Sequence, residues 1–211
     1  LNIFLLYTKF NNFMQSPNLF FSTPVWTSKL ENYKDTNELL YKYIIELQNI
    51  DNKGIVKSNI KGWHSKNFDM KDEAPKKFIH FITPSINNVL NSMNWDLDKQ
   101  NVKISNMWAI INKGGAANSR HHHGNSALSA AYYVRAPNQS GDIVFYDPRP
   151  APIYYHPIAK SPNSLNAMVN SISPSEGGLV IFPSYLDHSV NENLSNEERI
   201  VISFNISLIN N

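Results

Sequence analysis

The chain of 211 residues contains no cysteine, which excludes disulfides, iron-sulfur ligation, thiol catalysis and cysteine-ligated zinc together. Such a chain suits a reducing compartment, and a cytoplasmic location is the expectation. An excess of either charge is also missing: 19 basic and 17 acidic residues leave a net charge of +2, so no basic stripe points to nucleic acid. No stretch approaches the roughly 20 apolar residues of a membrane span, and no membrane partner is expected. The opening Leu1-Asn2-Ile3-Phe4-Leu5-Leu6-Tyr7 is short, with no basic residue before it and no small-residue cleavage site after it, so it does not read as a signal peptide. The first residue is Leu rather than Met. Either the chain is a fragment of a longer one, or residues 1–17 are an N-terminal extension that need not be native, with Met14 as the start; Leu1 to Met14 are expected to add nothing to the fold. No Gly/Ser/Pro-rich linker interrupts residues 18–211, which are read as one domain.

Two histidines, His121 and His123, stand one residue apart in a strand-like stretch, where alternate side chains share a face. Such a pair can grip one metal ion, and His188 is the downstream histidine in a comparable setting. Eleven residues later Arg199 opens the run Arg199-Ile200-Val201-Ile202-Ser203-Phe204-Asn205. This order suits a metal site inside a small β-barrel with a cation at its floor. In that run Ile200, Ile202 and Phe204 form an apolar face, whereas Arg199 shares the other face with Val201, Ser203 and Asn205. A guanidinium fork matches a carboxylate bidentately, so an inward Arg199 is a natural clamp for the far end of a dicarboxylate. The competing reading is a surface pair with Glu197 or Asp187. His122 points away from its neighbours and is not read as a ligand. His64, His80 and His156 lack comparable partners and read as surface or hydrogen-bonded residues. Trp63 reads as a packing residue, although it and His64 sit on a loop that could reach the mouth of the site.

The periodicities predict a helix from Asp35 to Leu47, with Asp35 and Glu38 at capping-box spacing. A second is predicted from Thr83-Pro84, with Ile86, Val89, Leu90 and Met93 on its buried face. Between them, Asn49 to Ala74 reads as a long loop. Strand patterns come next, at Val102 to Asn112, Ser119 to His123, Leu128 to Arg135, Asp142 to Tyr146, Leu179 to Phe182, Ser189 to Asn191 and Arg199 to Ile206. Turn signals separate them, as in a sandwich or barrel. Residues from Pro150 to Ser175 have no clean period and read as an insertion beside the opening.

The stretches His121 to Val134, Asp147-Pro148-Arg149, Glu176 to Ser184, His188-Ser189-Val190 and Arg199 to Asn205 resemble the 2-oxoglutarate/Fe(II)-dependent oxygenases of marine bacteria and cyanophages, distant relatives of the prolyl hydroxylases. Weaker similarity extends through Phe20 to Trp26 and Ser58 to Trp63. The resemblance implies a mainly β fold, a double-stranded β-helix (jelly roll, cupin-like), with two N-terminal supporting helices. It implies Fe(II) and 2-oxoglutarate as cofactors, dioxygen as co-substrate, and a small-molecule or peptidyl substrate hydroxylated with release of succinate and CO2. It implies metal binding by His121, His123 and His188, and 2-oxoglutarate binding by Arg199 with Tyr133, while Tyr132 faces the outer apolar contacts. A homodimer is compatible with the sequence. One departure stands out. Relatives usually hold iron with two histidines and a carboxylate, and the carboxylate position here reads His123. Either three histidines bind the metal, or Asp147 or Asp187 supplies an oxygen. A three-histidine set also suits zinc in a cupin-like hydrolase or isomerase, and a non-catalytic jelly-roll binding module is the third reading.

Overall fold

The computed structural model describes residues 16–150 and 157–211; Leu1 to Met14 and His156 lie outside the described residues. Two antiparallel sheets face each other. The larger is built from Trp26–Lys29 (β1), Gly178–Pro183 (β9), Leu128–Arg135 (β6), Arg199–Asn210 (β11), Gln100–Asn112 (β4) and Trp63–His64 (β3), in the order β1-β9-β6-β11-β4-β3. The smaller is built from Asn59–Ile60 (β2), Ala117–His121 (β5), His188–Val190 (β10), Ile143–Tyr146 (β7) and Val169–Ile172 (β8), in the order β2-β5-β10-β7-β8. Helices Tyr33–Ile50 (α1) and Glu73–Met93 (α2) cover the outer face of the larger sheet.

The alternation in β11 explains this layering. Ile200, Ile202, Phe204 and Ile206 are fully buried and join Leu40 and Ile44 of α1 and Phe78, Ile82, Ile86 and Leu90 of α2 in one core. Arg199, Val201 and Ser203 face the opposite way and line the space between the sheets, as a period of two demands. The neighbouring strand β6 splits in the same manner. Tyr132 packs on Phe78 with ring centroids 4.9 Å apart and donates to Asn37 Oδ1 at 2.6 Å, whereas Tyr133 turns inward beside Phe182 and Val201.

Several sequence expectations need correction. Helix α1 begins at Tyr33, after Asn32 in the left-handed conformation (φ 52°) and without a side-chain cap, so Asp35 does not cap it. Asp35 sits in the first turn, where its negative charge favours the N-terminal end of the helix dipole. Helix α2 begins ten residues before Thr83 and carries Pro84 in its interior. Buried residues at 74, 78, 82, 86 and 90 run through the proline without a break in spacing, and Pro84 itself is exposed, so its ring meets water rather than the core. Asn49 to Ala74 is not one loop, since it holds the end of α1, β2, β3 and the start of α2. Strand β8 arises within the expected insertion, and β1 pairs with β9, which the sequence pattern did not announce. Gly177 (φ +73°) makes the turn into β9, where a Cβ would collide with the Tyr33 ring at the start of α1; only glycine serves both needs. Among the described residues, no helix is long and apolar enough to cross a membrane.

Candidate metal centre

Strands β5 and β10 pair antiparallel with His188 directly opposite His121, so the two side chains emerge side by side on one face. Their ring centroids are 4.3 Å apart. β5 ends at His121, earlier than the alternation suggested, and His123 already lies beyond the strand. Its backbone N–H donates to Ser184 O at 2.9 Å. With the backbone held there, the His123 ring lies 5.1 Å from that of His121 and 5.2 Å from that of His188. The nitrogen ligand atoms of the three residues lie within 4.8 Å of one another.

Hydrogen bonds decide which nitrogens are free. His121 Nδ1 lies 2.7 Å from Ser119 O and His188 Nδ1 lies 2.9 Å from Leu186 O. A carbonyl oxygen only accepts, so each Nδ1 carries the proton and each Nε2 keeps its lone pair, the arrangement a metal requires. Burial, the largest cause in all three rings, pushes His121 below its ordinary pKa, His123 down to about 4 and His188 down to about 3, with the neighbouring histidines adding to each shift. The cluster is neutral at neutral pH and fits a divalent cation.

The two carboxylates considered as alternative oxygen donors are engaged elsewhere. Asp187 accepts from Arg120 Nη2 at 2.7 Å through Oδ2 and contacts His122 Nδ1 at 2.9 Å through Oδ1. Asp147 accepts from Arg149 Nη2 at 2.7 Å. Neither belongs to the group of converging ligand atoms. His122 is thus turned to Asp187 and stays out of the triad.

Arg199 is 1 % exposed. Its Nη1 donates to Gly141 O at 2.8 Å and to Ser140 O, and among the described residues no carboxylate forms an ion pair with it. The surface pair with Glu197 or Asp187 does not form. Burial pulls its pKa down to about 10, partly offset by Tyr133. Tyr133, 3 % exposed, has its own pKa pushed up to about 12 by burial, against the lowering effect of Arg199.

These groups open onto one cavity of about 840 Å³ between the sheets, shared by His121, His123, His188, Tyr133 and Arg199. Phe182 supplies an apolar wall, its ring 4.7 Å from that of His188. His64 also lines the cavity, stacked on Trp108 at 5.7 Å, and Trp108 tilts against His123 at 5.7 Å. Trp63, one residue before His64, faces the core and donates from Nε1 to Asp51 O at 2.8 Å. His80 is exposed on α2. The alternation of β4 (Asn106, Trp108, Ile110) was the available signal for Trp108, and it carried no information about which face was the cavity.

Residues 106–205 match the family model described as "Putative 2OG-Fe(II) oxygenase". Among solved structures, a Pseudomonas putida prolyl-4-hydroxylase aligns with a TM-score of 0.62 at 13% identity, over 88% of this chain and 92% of that one. A viral collagen prolyl hydroxylase from Paramecium Bursaria Chlorella virus-1, in complex with 2OG, aligns at 0.56 and 15% identity, over 88% and 96%. HygX from Streptomyces hygroscopicus, with nickel and 2-oxoglutarate bound, aligns at 0.62 and 8% identity, over 88% and 83%. At these identities the likeness is one of fold, the double-stranded β-helix. No curated protein matches the sequence.

Proposed function

We propose, from the match of residues 106–205 to the 2OG-Fe(II) oxygenase family model, that this chain is a dioxygenase that couples oxidation of 2-oxoglutarate to succinate and CO2 with hydroxylation of a small-molecule or peptidyl substrate. His121, His123 and His188 hold Fe(II) through their unprotonated nitrogens, and Arg199 with Tyr133 receives the distal carboxylate of 2-oxoglutarate. The observation that carries this reading is a buried guanidinium without a carboxylate partner among the described residues, in the same cavity as three converging neutral imidazoles. A buried charge calls for a counter-charge. A dicarboxylate that reaches the metal at one end supplies it at the other.

When bound, the iron supplies activation of dioxygen, chemistry that no side chain in the cavity can perform. The chain's own residues do the rest. Ser119 O and Leu186 O fix the tautomers of His121 and His188. Ser140 O and Gly141 O hold the Arg199 fork by one nitrogen, which leaves its remaining N–H groups for a carboxylate. Tyr133, a neutral phenol whose pKa burial raises further, can donate its phenolic proton to the same oxygens. Phe182 and Val201 keep that end of the cavity apolar, which strengthens each polar contact made there.

The test is anaerobic titration of Fe(II)-loaded protein with 2-oxoglutarate, followed by admission of oxygen and measurement of succinate. A visible charge-transfer band and oxygen-dependent succinate are expected. Purified protein that retains zinc, with neither band nor succinate, would favour the hydrolytic reading that three neutral ligands also suit.

A further inference from the structure

Strand β3 contributes only Trp63 and His64, and successive side chains of a strand take opposite faces. Trp63 packs in the core with the helices. His64 therefore turns toward the space between the sheets, where it stands opposite Ile110 of β4, another residue of the cavity wall. Its setting is firmly built. Ile55 N–H donates to His64 O at 2.9 Å, Ser65 N–H donates to Ala109 O at 3.0 Å, and Ser65 Oγ accepts from Ala109 N–H at 2.9 Å. The ring itself lies parallel to that of Trp108, with 6° between the planes.

His64 is 7 % exposed, and its two nitrogens have different fates. Nδ1 lies 2.6 Å from Ser65 O, an oxygen that only accepts, so Nδ1 carries the proton and Nε2 keeps the lone pair. Nε2 has no hydrogen-bond partner among the described residues. The side-chain nitrogens and oxygens that are both unpaired and sealed from solvent are Trp108 Nε1, Asn112 Oδ1 and Ser140 Oγ; His64 Nε2 is not one of them, so it is open to the cavity. Burial pulls the pKa of this ring below its ordinary value, against the raising effect of the Ser65 bond, and the Lys57 charge adds to the fall. The result is a neutral acceptor, held in place and unused. One indole separates it from His123, and it stands outside the group of converging ligand nitrogens. The charges around it are of one sign: among the described residues no Asp or Glu lines the cavity, whereas Lys57, Lys66 and Arg199 do.

We propose that His64 is a substrate-contacting residue, whose Nε2 accepts a hydrogen bond from an uncharged donor of the substrate, a hydroxyl or an amide N–H. The proposal rests on the dioxygenase reading for its placement beside the metal and 2-oxoglutarate. A buried acceptor left unpaired is unfavourable, so a substrate that brings the donor is preferred over one that lacks it. An ammonium would also donate, but it would meet only positive charges in this lining and a dication at the metal centre, and is selected against. Trp108 supplies the flat surface that keeps the imidazole aimed.

Nitrogen NMR of the imidazoles tests this on the full chain with isotope-labelled histidine, loaded with diamagnetic Zn(II) and saturating 2-oxoglutarate. Before any probe is added, His64 is expected with its proton on Nδ1 and a bare Nε2. The probes are matched pairs with and without one donor: cyclohexanol against its methyl ether, and N-acetylproline N-methylamide against the N,N-dimethylamide, with cyclohexylamine as the cationic control. In at least one pair the donor should shift the Nε2 resonance saturably and bind about tenfold tighter than its methylated partner. Which pair responds identifies hydroxyl or amide as the source. His64→Phe, which keeps a ring on Trp108 and removes both nitrogens, should erase that ratio and leave Zn(II) affinity unchanged. A proton on Nε2, no probe that moves its resonance, methylated probes that bind as well as their parents, cyclohexylamine tighter than cyclohexanol, or a ratio that survives His64→Phe would each overturn the proposal. So would loss of Zn(II) in that variant, which would put His64 in the metal centre. The wild-type spectra decide even where the variant fails to fold. Failure of 2-oxoglutarate itself to bind would instead count against the dioxygenase reading, and the same spectra without it would still decide on His64.

Discussion

His123 separates one chemistry from another at the residue scale. His123→Ala should lower metal affinity by about tenfold or more, because one of three converging nitrogens is removed, whereas His122→Ala, turned toward Asp187, should leave it nearly unchanged. His123→Asp offers the carboxylate common among non-haem iron sites and should retain iron; competitive metal titration of the three variants checks this, and metal lost on changing Asp187 but kept on changing His123 would refute the three-histidine set. Arg199→Ala should weaken 2-oxoglutarate binding by about 2–4 kcal/mol, read by calorimetry. A melting curve must accompany it, since the same change strips Ser140 O and Gly141 O of their donor. Both residues were singled out in the sequence, but only the placement of Arg199 could be read there. The inward direction of Arg199 follows from strand alternation. His123 reaches the cluster by another route: the strand ends at His121, and a backbone hydrogen bond to Ser184, far away in the chain, sets its place, which no local pattern encodes.

Between elements, the side-chain contact that ties together the strands carrying the candidate metal ligands is Asp187, which precedes His188 and grips Arg120 and His122, the two neighbours of His121. One carboxylate ties β10 to both sides of the β5 histidine. Asp187→Ala should loosen the angle between the His121 and His188 rings and lower metal affinity without removing a ligand. Asp187→Asn, which keeps one acceptor, should fall between; equal affinity in all three proteins by metal titration would show that the backbone pairing of β5 and β10 is sufficient alone. Elements whose order comes from their own periodicity were readable, among them β4, β6 and β11. Strands β2 and β3, two residues each, are too short to show a period, and β8, Val169-Asn170-Ser171-Ile172, has no apolar alternation to announce it. The start of α2 was misplaced because Pro84 was given the weight of a helix start. The spacing of Phe78, Ile82, Ile86 and Leu90 outweighs it: the energy of burying those side chains exceeds the cost of one lost backbone bond at an exposed position. Pro84→Ala restores that N–H and should raise stability by about 1–2 kcal/mol, the propensity gain less the entropy returned to the unfolded chain. Chemical denaturation measures it, and a loss of stability would mean that the helix needs the proline's bend to follow the sheet.

Over the whole molecule, the cavity makes metal binding and stability respond to pH together. His121, His123 and His188 titrate in the fold below their ordinary value of 6.5, His123 at about 4 and His188 at about 3. In the unfolded chain they take up protons near 6.5, so between that pH and the folded values the unfolded state binds more protons than the native one. Stability then falls as pH falls. The stability from the depressed carboxylates Asp51, Glu73 and Asp187 is lost in a separate window, below the ordinary carboxylate values of 3.8 and 4.5. A metal-free sample should therefore lose melting temperature steadily from about pH 6.5 to about pH 4.5, ahead of the carboxylate window. Saturating Zn(II) or Ni(II) should raise the melting temperature by mass action and move the onset of the decline to lower pH, because the bound ion occupies the lone pairs that protons would take. The measurement is a pair of melting series, chelated and metal-loaded, over the same buffers. A flat chelated series across that window would mean that the histidines titrate in the fold as they do in water, and the space between the sheets would then not be a dry, neutral pocket for a metal.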